Sequence, residues 1–155
     1  MAETERYGVD LRLLRNLAQQ NSRDRGSDLS TLRRAETGQA DLETLGNVEN
    51  LAQALLLRFL TPVGELALLG HPDYGSRLFD LIGELNTETN RNRAKLFVLQ
   101  ALAAEPRAKE VRSVQVRENR ADRGRIDIDI SLIPIDSDTP LNLVFPFFLE
   151  GGVAP

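Results

Sequence analysis

The sequence predicts an α+β fold in which three helices pack on a small antiparallel β-sheet, with an N-terminal helical extension ahead of them. Three observations carry this. Apolar residues recur at helical spacing through residues 41–105. Beyond that point the period shortens from roughly 3.6 residues to roughly 2. The later runs alternate in polarity, as strands do when one sheet face is covered and the other is wet.

Val9, Leu13, Leu14 and Leu17 form a short amphipathic stretch that predicts a docking helix, and the polar tract 19–27 reads as a flexible linker. Leu29 and Leu32 sit in SDLSTLRRAETG, where Ser30 or Asp28 would cap a turn or two of helix before Gly38 ends it. From Asp41 the period is clear. Leu45, Val48, Ala52, Leu55, Leu56 and Phe59 share a face, and TPVG at 61–64 stops the helix. Gly70, Pro72, Asp73 and Gly75 make a connection. Ser76 is placed to cap a second helix carrying Leu78, Phe79, Ile82 and Leu85. A third helix starts near Thr87 and shows Ala94, Phe97, Val98, Ala101 and Leu102 on one face; it stops at Glu105, because Pro106 pushes the residue before it out of the α region. Strands follow over 111–117, 125–132 and 141–149. The charged segment 118–124 and the DSDTP turn at 136–140 link them. This divides the chain into a docking extension and linker (1–40), a folded domain (41–150) and a short tail (151–155).

At 155 residues the chain is the size of one domain. It has no cysteine, which excludes disulfides and thiolate sites and suits a reducing compartment such as the cytoplasm. No signal peptide or membrane span is predicted, since no stretch nears the roughly 20 apolar residues a span needs. With 19 Lys and Arg against 23 Asp and Glu, the overall field repels nucleic acid.

The most informative segment is the last strand. Pro146 has no N–H to give, so it belongs at a sheet edge or a bulge. Leu143, Val144, Phe145, Phe147, Phe148 and Leu149 make that edge apolar, which natural proteins avoid unless something covers it. A partner strand added there would gain main-chain hydrogen bonds; the alternative cover is the N-terminal segment of the same chain. Glu105, Pro106 and Arg107 read as a helix stop, although Arg107 could also hold a carboxylate bidentately on another subunit. Basic residues outnumber acids over 107–125, with no Phe or Tyr to stack on bases, so a solvated loop is the simpler reading. His71 is the single histidine. A His-based zinc site cannot be assembled from this chain alone, and Asp73 beside it is more simply a turn residue. Acid pairs can always be found among so many carboxylates, and no phosphate cradle is present. No catalytic residue, metal or cofactor is predicted.

LTPVGE at 60–65, GHPDYGSRL at 70–78, EPR at 105–107 and NLVFPF at 142–147 occur in that order. Together they resemble the baseplate wedge, or sheath-initiator, family of contractile phage tails and contractile injection systems, called lysozyme-like in older usage. The resemblance covers about residues 41–150, and LGHPDYGSRL is most similar to the extracellular, phage-tail-like systems. It implies a structural, non-enzymatic protein present in six copies around a baseplate. Glu105, Pro106 and Arg107 would contact larger wedge proteins, and the C-terminal sheet would accept arm strands of the sheath protein. The central spike or hub and the inner tube are further implied neighbours; no nucleic acid or membrane is. Assembly would begin in the cytoplasm and end in the particle's baseplate. A relative of this fold acts as an anti-adaptor that keeps a response regulator from delivering a sigma factor to proteolysis. A regulatory binding module is therefore the alternative, and a lysozyme-like hydrolase a further one.

Overall fold

Among the described residues, short pairing segments and one long helix come first, and three longer strands come last. The computed structural model describes residues 7–14 and 29–149. Its elements are β1 (Val9–Leu11), β2 (Thr31–Arg33), β3 (Ala40–Leu42), β4 (Thr44–Gly46), α1 (Asn47–Leu60), single 3₁₀ turns at Ala67–Leu69 and Leu78–Leu81, α2 (Glu88–Ala103), β5 (Ala108–Glu118), β6 (Arg125–Pro134) and β7 (Leu141–Phe148).

β5, β6 and β7 form an antiparallel meander with β6 in the centre. Alternation fixes its register, because a slip of one residue would turn the isoleucines out to water. Ile126, Ile128, Ile130 and Leu132 stand opposite Phe147, Phe145, Leu143 and Leu141, all on the face that joins the core. Leu51, Leu55, Leu56 and Phe59 of α1, with Ala94, Val98 and Leu102 of α2, close that face. Phe59 meets Phe145 with ring centroids 5.6 Å apart, and Phe79 meets Phe147 edge-on at 6.4 Å. Aromatic pairs at such spacings add to the energy of burial itself. The opposite face carries the ion pairs Arg117–Asp129 and Arg125–Asp127.

The expected layout of three helices on one small sheet, behind a helical extension, is overturned. Among the described residues there are two α-helices, and seven strands form three separate antiparallel sheets. Val9 is in β1, paired with β4, where a docking helix was expected; Leu17 and the tract 19–27 lie outside the described residues. Leu32 is in the β2–β3 hairpin instead of a short helix, while Asp28 lies outside the described residues. The long helix begins at Asn47, because Gly46 is extended and Asn47 itself has a left-handed φ of 55°, which breaks the helix between Leu45 and Val48. Ser76 does bond its hydroxyl to the N–H of Leu78, yet only one 3₁₀ turn follows. Apolar spacing alone does not tell a buried turn from a buried helix.

The helix of Glu88–Ala103 follows the sequence more closely. Thr87 caps it by accepting the Asn90 N–H at 3.2 Å, and it ends before Pro106. Residues Tyr7–Leu14 pack onto the domain. The Gln53 side chain accepts the N–H groups of Leu13 and Leu14 and donates to the Leu11 carbonyl, standing in for a strand partner.

Candidate functional site

Two regions bring the sequence-predicted site residues together. The first is β7. It lies at the rim of the three-stranded sheet, and its eight residues pair with β6 without a register shift. Pro146 faces Asp127. A proline fits a ladder where its nitrogen points away from the partner, so Pro146 orients the whole strand: Asn142, Val144 and Phe148 also turn their main-chain groups to the open side. Three outward N–H donors result, with a gap at Pro146.

The side chains divide by face. Leu143, Phe145, Phe147 and Leu149 are buried in the core, at 1% exposure for Phe145 and 6% for Phe147. Val144 stays exposed on the opposite face, Pro146 is buried, and Phe148 is half-buried beneath the Arg125 guanidinium. The phenylalanines expected to make the edge sticky therefore mostly hold the strand in place. What the edge offers a neighbour is its main chain and Val144. Leu149 fastens the strand's end, accepting the Gly83 N–H at 2.6 Å and donating to the Gly124 carbonyl at 2.7 Å.

The second region surrounds Glu105, where α2 turns into β5. Its carboxylate is buried. Oε1 accepts Arg107 Nε at 2.6 Å and the Arg107 main-chain N–H at 3.2 Å, and Oε2 accepts Arg107 Nη2 at 3.1 Å. Arg58, from α1, approaches Oε2 at 3.5 Å and lies 4.5 Å above the Tyr74 ring. Arg107 also donates to the Tyr7 carbonyl, which accepts from Asn50 as well. The cluster thus joins α1, α2, β5 and the N-terminal segment. Pro106 is exposed and the Arg107 side chain is 27% exposed, so these two face outward while Glu105 does not.

Burial pushes the Glu105 carboxyl up, but the Arg107 hydrogen bonds and the charges of Arg107 and Arg58 outweigh it and hold the pKa below the usual carboxylate range. The Glu105 hydrogen bond raises Arg107 in turn. Burial raises the Tyr74 hydroxyl, against the lowering effect of Arg58. Two guanidiniums share one carboxylate, and among the described residues Arg58 Nε has no hydrogen-bond partner. The site carries surplus positive charge.

The remaining chemical candidates are not drawn into a set. His71 is exposed in its loop; Ser76 is buried, donating its hydroxyl to the Phe59 carbonyl at 3.2 Å. Asp127 and Asp129 are engaged by Arg125 and Arg117 on the sheet surface. Among the described residues, no group of three or more His, Asp or Glu could hold a metal, and no helix is long and apolar enough to cross a membrane.

No protein-family profile and no curated protein matches the sequence. A crystal structure from Geobacter sulfurreducens, of a protein provisionally described as a tail lysozyme, superimposes with a TM-score of 0.60 at 31% identity, over 68% of this chain and 94% of that one. The chain belongs to this phage-tail-related family. In this tail-family chain, Arg58, Tyr74 and Tyr7 belong to the Glu105 cluster; sequence reasoning passed over Arg58 and Tyr7, and it quoted Tyr74 only within GHPDYGSRL, without a role. Arg58 falls among the apolar residues of α1, between Leu57 and Phe59, and an arginine in such a position needs a buried acid. That was the one available signal.

Proposed function

We propose that the chain is a structural, non-enzymatic baseplate component of a contractile injection system. In this role it joins wedge subunits to the sheath protein and templates the first sheath ring by accepting a strand on β7. The observation that carries the reading is the rim position of β7, with a continuous register and outward main-chain donors at Asn142, Val144 and Phe148. Membership of a phage-tail-related family agrees with it. Exposed Pro106 and the outward part of Arg107, set against the surplus charge of Arg58, suit a carboxylate on a larger wedge protein. Six copies would surround the spike or hub and inner tube, after assembly in the cytoplasm. No cofactor is required.

The test is co-expression with the genomic neighbours, followed by sedimentation of tail-like particles. Val144→Pro removes an outward donor and leaves the bonds to β6 intact; Val144→Lys instead places a charge at the same edge. Both variants should fold, and sheathed particles should be lost. Normal sheathing with both would overturn the strand-template role. Purified wild type that degrades peptidoglycan would point to the hydrolase, and a one-to-one complex with a soluble regulator to the anti-adaptor.

A further inference from the structure

The loop between α1 and the second 3₁₀ turn exposes leucines in a way the fold does not need. Leu68 is 101% exposed and Leu69 74%, with Val63 close by in sequence at 46%. Adjacent large apolar side chains presented so fully are a mark of an interaction surface, unlike leucines scattered singly.

The loop is also tightly built. Ala67 N–H donates to the Gly64 carbonyl at 3.1 Å, Leu69 to Leu66 at 3.0 Å, Gly70 to Ala67 at 3.1 Å and His71 to Leu66 at 3.1 Å. Gly64 and Gly70, with φ of 88° and 86°, supply the left-handed corners on either side. Its ends are fastened together, Val63 donating to the Ser76 carbonyl at 3.1 Å and Ser76 to the Thr61 carbonyl at 2.9 Å. That junction is so close that a Cβ on Gly75 would stand 2.5 Å from the Thr61 oxygen. Few rotors remain to be frozen when such a loop docks, and a pre-ordered anchor loses less on binding than a mobile one.

We propose that Leu68 and Leu69 form a rigid knob that inserts into an apolar pocket, rimmed by Lys or Arg, on a different protein chain. The charge around the knob selects the partner. Within the loop the charged residues are Glu65 and Asp73, both exposed and acidic, and the exposed Arg77 that follows it is paired with Asp80 at 2.9 Å. A loop meant for an anionic membrane surface carries Lys or Arg beside its apolar residues, and this one does not. The two acidic side chains of the loop complement a basic rim and would steer such a partner in. The knob is separate from the β7 edge and does not depend on strand exchange.

The chain carrying Leu68→p-benzoylphenylalanine is co-expressed with its genomic neighbours and irradiated, and the joined peptides are located by mass spectrometry. One site on one other chain is expected, in an apolar surface flanked by Lys or Arg, with a yield that falls at least tenfold when Leu69→Asp is added. Attachment to a second copy of this chain, to scattered sites or to nothing would overturn the proposal. In parallel, purified wild type and L68S/L69S are floated with phosphatidylcholine–phosphatidylglycerol vesicles. Flotation of wild type but not of the double variant would assign the knob to a membrane and also overturn it. Both leucines are solvent-exposed, so L68S/L69S should melt as wild type does; a clearly lower melting temperature would show that they serve the fold instead. Val144→Pro should leave the Leu68 attachment unchanged, so a failure at the sheet edge stays distinguishable from a failure at the knob.

Discussion

The two outer strands of the meander flank the same central strand and are built in opposite ways. β5 has register shifts between Ala108 and Glu110 and between Val111 and Ser113, and Lys109, Glu110, Arg112, Arg117 and Glu118 stud its length. β7 has no shift and no charged residue. Bulges and charges are the devices by which an edge refuses another strand. One rim of the sheet is blunted and the other is left able to pair. An apolar sequence at a sheet edge does not by itself face outward: β7 buries Phe145 and Phe147 in the core and leaves its main chain on the open side.

The strongest way to break that division is to treat the two faces of β7 alike. Phe145→Ala removes a buried ring that touches Phe59 and Phe147, and it should cost about 3–5 kcal/mol of stability in urea unfolding. Phe148→Ala, on the outer face under Arg125, should cost about 1 kcal/mol. Equal losses would mean that the faces have been assigned wrongly. A triple substitution of Phe145, Phe147 and Phe148 would confuse unfolding with loss of an edge.

The root of β5 offers the next test. Here the strand is anchored by the Glu105–Arg107–Arg58 cluster, where β7 has aromatic packing. Glu105→Ala leaves Arg58, 9% exposed, without its carboxylate, and should cost about 3 kcal/mol. The pH dependence has a definite sign. Because the folded pKa of Glu105 is lowered, its contribution is fully present above the unfolded value of about 4.3 and is lost as pH falls through the folded value. Denaturation curves from pH 6 downward should therefore drop less steeply for Glu105→Gln than for wild type. Parallel curves would show that Arg107 does not stabilise the ionised form.

These cases also explain what could be read from the sequence. The meander was legible because its isoleucines alternate strictly, and Pro146 marked β7 as a rim strand for a reason of covalent structure. α2 was legible from Thr87 and Pro106. The N-terminal half was not, since Leu45 and Val48 fit a helical period while Gly46 and Asn47 interrupt it, and no local pattern in residues 9–11 announces β4 as their partner. β1 is held by that long-range pairing and by Gln53, a helix residue some forty positions away. The Glu105 cluster was only half legible. The EPR triplet stood out, but its second arginine comes from α1 and its aromatic cover from the 70–78 loop, and only the fold brings them together.

The smallest expected effect on stability gives the sharpest comparison of the rims. Lys109→Val with Arg112→Val strips two charges from β5, both at exposed positions, and should change stability by less than about 0.5 kcal/mol. If charge is what blunts this rim, the double variant should sediment as larger species with rising concentration, while wild type does so less. If the bulges are what blunts it, sedimentation will not change, because the kinked strand cannot present a regular ladder whatever its side chains are. Val144→Lys on β7 is the mirror experiment: it should lower whatever self-association wild type shows. A Lys109→Val/Arg112→Val protein that sediments as wild type does, while Val144→Lys abolishes association, would assign the difference between the rims to backbone register on β5 and to side-chain character on β7.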